Sequence, residues 1–142
     1  MSYSILVVED DIYILELIKE FLEAQEYLIE VAAEGLEDWK KFSEGNFDLI
    51  ILDIMILNID GFSLCNMIRK KSSVPIIVLT ALNEEKDQIK AFEHEADDFI
   101  SKPFSFNILS KRVRAVREVL KRPGCPYVNT LTEVLQKQNR KK

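Results

Sequence analysis

The stretch DLIILDIM, Asp48 to Met55, decides the fold. Leu49 to Leu52 are four apolar residues in a row, which is how a strand covered on both faces reads. Asp53 follows directly. An ionised carboxylate is costly to bury without a partner. Asp53 therefore either caps the strand where it leaves the core or is held there for chemistry, and the rest of the chain decides between the two.

The same grammar recurs along the sequence. SILVV (Ser4 to Val8), LIEVAA (Leu28 to Ala33), FDLIIL, VPIIVL and DDFIS read as strands. Pro75 falls near the start of its strand, where a missing N–H does least harm. Between the strands lie helical patterns. DIYILELIKEFLEAQEY repeats Leu15, Ile18 and Leu22 at helical spacing, and GLEDWKKFSEG is a short helix stopped by Gly45. DGFSLCNMIRKK begins after a turn at Asp60-Gly61. NEEKDQIKAFEHEA carries Asn83 as an N-cap, with Glu84 and Glu85 at the positive end of the helix dipole. From Pro103 the last helix runs as PFSFNILSKRVRAVREVLKR, with Leu109, Val113, Val116 and Leu120 as its apolar stripe.

Five rounds of strand and helix predict an α/β, doubly wound parallel sheet with right-handed crossovers. After Arg122 the pattern breaks at Pro123, Gly124 and Pro126. Residues 1–121 are expected to form one domain, and 122–142 a tail or the start of a linker without a second domain.

Composition narrows the function. A chain of 142 residues, 47% hydrophobic and 30% charged, buries a core without disulfide or metal staples. Net charge is −5, which argues against a polyanion binder, and the one histidine, His94, excludes the usual His-rich zinc sites. Cys65 and Cys125 form no paired motif, so reduced thiols and a cytoplasmic location are expected. The N-terminus has no basic region before its apolar run, and no apolar run approaches the roughly 20 residues that span a bilayer.

The strand ends carry the chemistry. Glu9, Asp10 and Asp11 follow the first apolar run, Asp53 the third, Thr80 closes the fourth and Lys102 follows the fifth. Open α/β sheets place their sites beyond the carboxyl ends of the strands. Clustered carboxylates raise one another's pKa, and a hard divalent cation with oxygen ligands, such as Mg²⁺, relieves them. Beside a metal and a lysine, one Asp becomes a nucleophile toward a phosphoryl group, whose oxygens Lys102 and the Thr80 hydroxyl would neutralise or hydrogen-bond. Asp11 reads as the cap of the first helix, and Trp39 and Cys65 as packing.

Taken in order and spacing, ILVVEDD, LIILDIMI…DGF, PIIVLTA and ADDFISKPF resemble the receiver domain of two-component response regulators, over roughly residues 4 to 121. The resemblance implies a flavodoxin-like (βα)5 sheet of strand order 2-1-3-4-5. It makes Asp53 the phosphoacceptor for a sensor histidine kinase. Glu9, Asp10, Asp53 and the Met55 backbone carbonyl would hold Mg²⁺ or Mn²⁺. Thr80, Ala81 and Lys102 would receive the phosphoryl group, with Phe99 as the aromatic switch residue and the Lys102–Pro103 bond often cis. Such a domain signals and catalyses only its own phosphorylation and dephosphorylation.

The last helix resembles most the OmpR-type transcription-factor subfamily. There, charged pairs on the face made by the fourth helix, fifth strand and fifth helix hold a phosphorylated dimer. Asp98 with Arg112, and Glu93 with Arg114, fit such pairs, whereas Gln88, Ile108 and Val119 stand where charges are usual. Any contact with DNA would run through an effector domain that this chain does not contain. The sequence departs from the family pattern at Leu57 (commonly Pro), Phe99 (often Tyr) and Glu95 (often Gly); if the helix ending there needs a left-handed residue, Glu95 carries a steric cost. A phosphohydrolase of the haloacid dehalogenase type uses similar residues, but places its nucleophile after the first strand in an Asp-x-Asp pair. Here Asp53 follows the third strand and residue 55 is Met.

Overall fold

A computed structural model describes residues 3–33, 35–54, 61–81 and 85–121. The elements alternate as β1 (Ser4–Val8), α1 (Ile12–Glu23), β2 (Leu28–Ala32), α2 (Gly35–Glu44), β3 (Leu49–Leu52), α3 (Gly61–Arg69), β4 (Ile76–Thr80), α4 (Glu85–Glu93), β5 (Asp98–Ser101) and α5 (Phe106–Lys121). All strand pairs are parallel, as the alternation predicts, and the order is β2-β1-β3-β4-β5, as the resemblance implies.

Successive side chains on a strand point to opposite faces, and that alternation builds two cores. Ile5, Val7, Leu49, Ile51, Ile77, Leu79 and Ile100 meet Leu15, Ile18 and Leu22 of α1 and Leu109, Val113 and Val116 of α5. Leu6, Val8, Ile50, Leu52, Ile76 and Val78 meet Phe62, Leu64, Cys65 and Ile68 of α3, Ala91 of α4 and the half-buried Trp39 and Phe42 of α2. A continuous apolar strand is thus required at the centre of the sheet. β2, at its edge, alternates exposure instead.

Several boundaries follow from local hydrogen bonds. Asp11 caps α1, accepting from the N–H of Tyr13 and Ile14. The last helix starts three residues later than the sequence reading placed it. Ser105, not Pro103, opens it: its hydroxyl accepts from the N–H of Asn107 and Ile108. Leu109, Val113 and Val116 line the predicted stripe, while the Leu120 side chain and the expected cap at Asn83 lie outside what is described, as do residues 122–142.

α4 ends in a Schellman motif. The Ala96 N–H bonds the Ala91 carbonyl, the Glu95 N–H bonds the Phe92 carbonyl, and Glu95 takes φ 64°. The departure at Glu95 is therefore a strained residue in a glycine position. The turn after α1 repeats the pattern, with Glu26 at φ 71°. For an L-residue the left-handed region costs roughly 1–2 kcal/mol, and glycine gives back about 0.5–1 kcal/mol through unfolded-chain entropy. Glu26→Gly is expected to stabilise the chain by ~0.5 kcal/mol in urea titration. Glu95→Gly should gain less, because it also removes the exposed Glu95 carboxylate from its ion pair with the mostly buried Arg69, at 3.9 Å. A loss of stability in Glu26→Gly would contradict this.

Arg69, at the end of α3, ties distant segments together. Its guanidinium donates to the Asp97 carboxylate at 2.8 Å, to the Glu95 carbonyl at 3.0 Å and to the Val74 carbonyl. Asp97 also accepts the Ile76 N–H at 2.8 Å. By sequence, Asp97 and Asp98 both suit caps of the turn before β5, and Asp98 also fits a pair with Arg112. In the structure each holds an arginine of another element, Asp97 with Arg69 and Asp98 with Arg112.

Candidate functional site

Three residues just past strand ends remain tied to the neighbouring strand. The Glu9 N–H donates to the Ala32 carbonyl at 3.1 Å, Asp53 N–H to Val8 at 2.9 Å, and Lys102 N–H to Thr80 at 2.7 Å. The sheet therefore fixes their backbones although their side chains have left it. Continuing the alternation, Glu9 follows Val7, Asp53 follows Ile51 and Lys102 follows Ile100, all in the row that faces α1 and α5. That shared parity makes them converge.

The Lys102 ammonium bridges Glu9 Oε1 at 2.6 Å and Asp53 Oδ2 at 2.8 Å. Glu9 and Asp53 are buried, at 1% and 3% exposure, and Thr80 is fully buried at the end of β4. Asp10, Ala81 and Pro103 are exposed, and Phe99 is half-buried against the core on the α3 and α4 side. The Lys102–Pro103 peptide is cis. Met55 and Leu57 lie outside the described residues.

Carboxylate oxygens of Glu9, Asp10 and Asp53 lie within 4.8 Å of one another. Burial first, and then the adjacent Asp53, push the Glu9 carboxyl up to about 8 against the pull of Lys102. Burial alone would lower the Lys102 ammonium, yet Asp53 and Glu9 together raise it. When ionised, three carboxylates and one ammonium leave two negative charges, the complement of a divalent cation. Glu9 Oε2 is buried without a hydrogen-bond partner, and the donors are hard oxygens with an open side at Asp10 that leaves room for water. This set fits Mg²⁺, which prefers oxygen ligands and keeps several waters.

On the α1 side of Lys102, Ile14, Leu17, Ala81, Pro103, Phe104 and Phe106 line a mostly apolar groove of about 420 Å³. Ile12, Tyr13 and Leu17 are more than half exposed on the same helix. The sequence reading did not single out this surface. Its signal was present as a helix apolar on more than its core-facing stripe.

The expected dimer-face residues take a different arrangement within one chain. Asp98 is buried and accepts two hydrogen bonds from Arg112, at 2.7 and 2.9 Å, so this pair closes inside the chain and fastens α5 to β5. Glu93 and Arg114 are both exposed. Among the described residues no helix is long and apolar enough to cross a membrane.

Comparison with known proteins agrees with this geometry. The family model described as "Response regulator receiver domain" matches residues 5–114. The regulatory protein VanRB of Enterococcus faecalis is 41% identical over 124 residues, covering 87% of this chain and 55% of that protein. The response regulator DrrB of Thermotoga maritima, an OmpR/PhoB homologue, superposes with a TM-score of 0.79 at 32% identity, over 86% of this chain and 55% of that one. TrrA of the same organism, solved with Mg(2+)-BeF, gives a TM-score of 0.72 at 40% identity, over 79% and 96% of the two chains. The chain spans about half the length of the curated relatives it matches. With a family match over most of its length and the acidic cluster at the carboxyl edge of the sheet, the chain belongs to the response regulator receiver domain family.

Proposed function

We propose that Asp53 is the phosphoacceptor of this receiver, that Glu9, Asp10 and Asp53 hold Mg²⁺, or Mn²⁺ in its place, and that Lys102 and Thr80 receive the phosphoryl oxygens. The single observation that carries this is the Lys102 ammonium shared between Glu9 and Asp53 at hydrogen-bond distance. Bound Mg²⁺ would supply a positive charge for the phosphoryl oxygens and release the repulsion among the acids. An Asp53 carboxylate oxygen would form the new O–P bond as the bond from phosphorus to the donor breaks, the kinase's histidine nitrogen (or the acyl oxygen of a small acyl phosphate) leaving with the electron pair, while the sheet holds the Asp53 backbone. Lys102 then exchanges a carboxylate partner for a phosphoryl oxygen, so its charge is already in place when the negative charge arrives. The Met55 carbonyl and the small Ala81 keep the roles that the resemblance gives them.

The donor is a sensor histidine kinase, as the receiver family implies, and the exposed apolar surface of α1 beside the groove suits a protein rather than a small-molecule donor. A phosphoryl group adds about −1.5 to −2 charges and three acceptors. Thr80 stands in the other side-chain row, with Ile76 and Val78 facing α3 and α4. Its engagement, with Phe99 beside it, links the site to the α4-β5-α5 face. Dimerisation through that face is the proposed output, with DNA reached only through an effector domain. Residues 1–121 are the receiver and 122–142 its tail or linker. The domain acts as a signalling switch in the cytoplasm rather than as an enzyme with turnover.

Incubating the chain with a small acyl phosphate and Mg²⁺ is expected to add one phosphoryl group, mapped by mass spectrometry to the peptide holding Asp53. Chelating the metal should slow the gain by at least about tenfold, because metal charge stabilisation is worth several kcal/mol. Absence of any gain, or a gain indifferent to metal, would refute the assignment.

A further inference from the structure

We propose that Gly61 is a positioning residue for phosphoryl transfer: having no side chain, it lets the start of α3 press on the Asp53–Ile54 backbone and set the direction of the Asp53 carboxylate. A Cβ built on Gly61 would lie 2.3 Å from Ile54 Cα, 2.8 Å from the Ile54 carbonyl oxygen and 2.9 Å from that of Asp53. All three are backbone atoms, so no rotamer relieves the contact. Any side chain at 61 must push the two backbones apart by a large part of an ångström. The approach is also bonded, since the Gly61 N–H donates to the Ile54 carbonyl at 2.9 Å.

Asp53 is thereby held from both sides. Its own N–H is fixed to Val8 in β1, and its carbonyl side is fixed by α3. Between these anchors the side chain has only its own torsions with which to reach Lys102 at 2.8 Å. Ile54 is buried in the α3-side core and cannot swing out to absorb a shift. Displacing the carbonyl side of Asp53 therefore turns its carboxylate relative to Glu9 and Lys102. Misplacement by about 1 Å costs up to 10²-fold in rate. The bland alternative is that residue 61 is glycine only so that α3 packs closely; then a substitution costs stability and leaves the chemistry of the folded molecules intact.

The inference rests on Asp53 being the phosphoacceptor, and the unsubstituted chain checks that separately: no mass gain there removes the parent reading before Gly61 is tested. In Gly61→Ala, the rate of modification by a small acyl phosphate is expected to fall about 10- to 100-fold, and the Mg²⁺ midpoint to move to higher concentration. Gly45→Ala is the comparison. Its Cβ would meet the Phe47 ring at 2.7 Å and the Lys41 carbonyl at 3.0 Å, a clash far from Asp53 that should cost stability and leave both readouts at the parent values. Parent-like rate and Mg²⁺ midpoint in Gly61→Ala, or an equal loss in Gly45→Ala, would overturn the proposal. Should Gly61→Ala not fold, amide hydrogen exchange at Gly61 in the parent chain decides. By linkage, Mg²⁺ with beryllium fluoride should slow exchange there several-fold, and an unchanged rate would refute the coupling.

Discussion

Asp53→Asn is expected to take up no phosphoryl group while unfolding at the same urea concentration as the parent or a higher one. The first half follows from chemistry, since a neutral amide offers no carboxylate nucleophile to the phosphorus. The second half follows from the site. Asp53 is buried beside Glu9 and Asp10, and its neighbourhood helps to push the Glu9 carboxyl up to about 8. Like charges at this range oppose folding. Asparagine is isosteric, its carbonyl oxygen can accept from Lys102, and Lys102 keeps Glu9 at 2.6 Å. The expected gain in metal-free buffer is zero to ~2 kcal/mol, since each unit of relieved pKa is about 1.4 kcal/mol. Added Mg²⁺ should narrow or reverse the difference, because it stabilises whichever chain binds it more tightly. A variant that still gains mass, or that loses more than about 1 kcal/mol without metal, would contradict the assignment of this cluster. A residue kept only to cap a strand would behave in the opposite way.

The second large effect lies at the other end of the sheet. Asp97→Ala should cost about 3–5 kcal/mol, a large share of the roughly 5–15 kcal/mol that holds such a domain together. Asp97 is 2% exposed, and one of its oxygens serves both Arg69 and the Ile76 N–H, each at 2.8 Å. Removing it leaves a guanidinium with little access to water and an unsatisfied N–H at the start of β4. Asp97→Asn keeps an acceptor for Ile76 and gives up the charge, so it should lose less. Pairing Arg69→Met with Asp97→Ala should recover part of the loss, because the uncompensated charge is then gone. Urea denaturation of the three variants measures this. A loss below about 1 kcal/mol in Asp97→Ala, the range of a surface pair, would mean that the staple is ornamental.

These two aspartates show how unevenly the chain discloses itself. Asp53 was legible because an apolar run pointed to it and because Glu9, Asp10, Thr80 and Lys102 occupy equivalent places after or at the end of other runs. Asp97 looked like a turn residue, since its partner Arg69 is 28 positions away in sequence and nothing local records that distance. Asp98, expected to pair with Arg112, meets it within one chain, where the pair fastens α5 to β5. The start of α5 was misjudged because Pro103 permits a helix start while Ser105 makes the hydrogen bonds that begin one.

The sequence by itself determined the alternation of strands and helices, the parallel sheet and the edge at which the acids gather. Burial on both faces leaves a continuous apolar run, and strand direction decides which end meets water. Only the tertiary structure decided which charged groups pair, and that Gly61 lies against the backbone of Asp53. Those contacts depend on register between elements and on gaps narrower than one side chain, which no spacing along a single strand of text encodes.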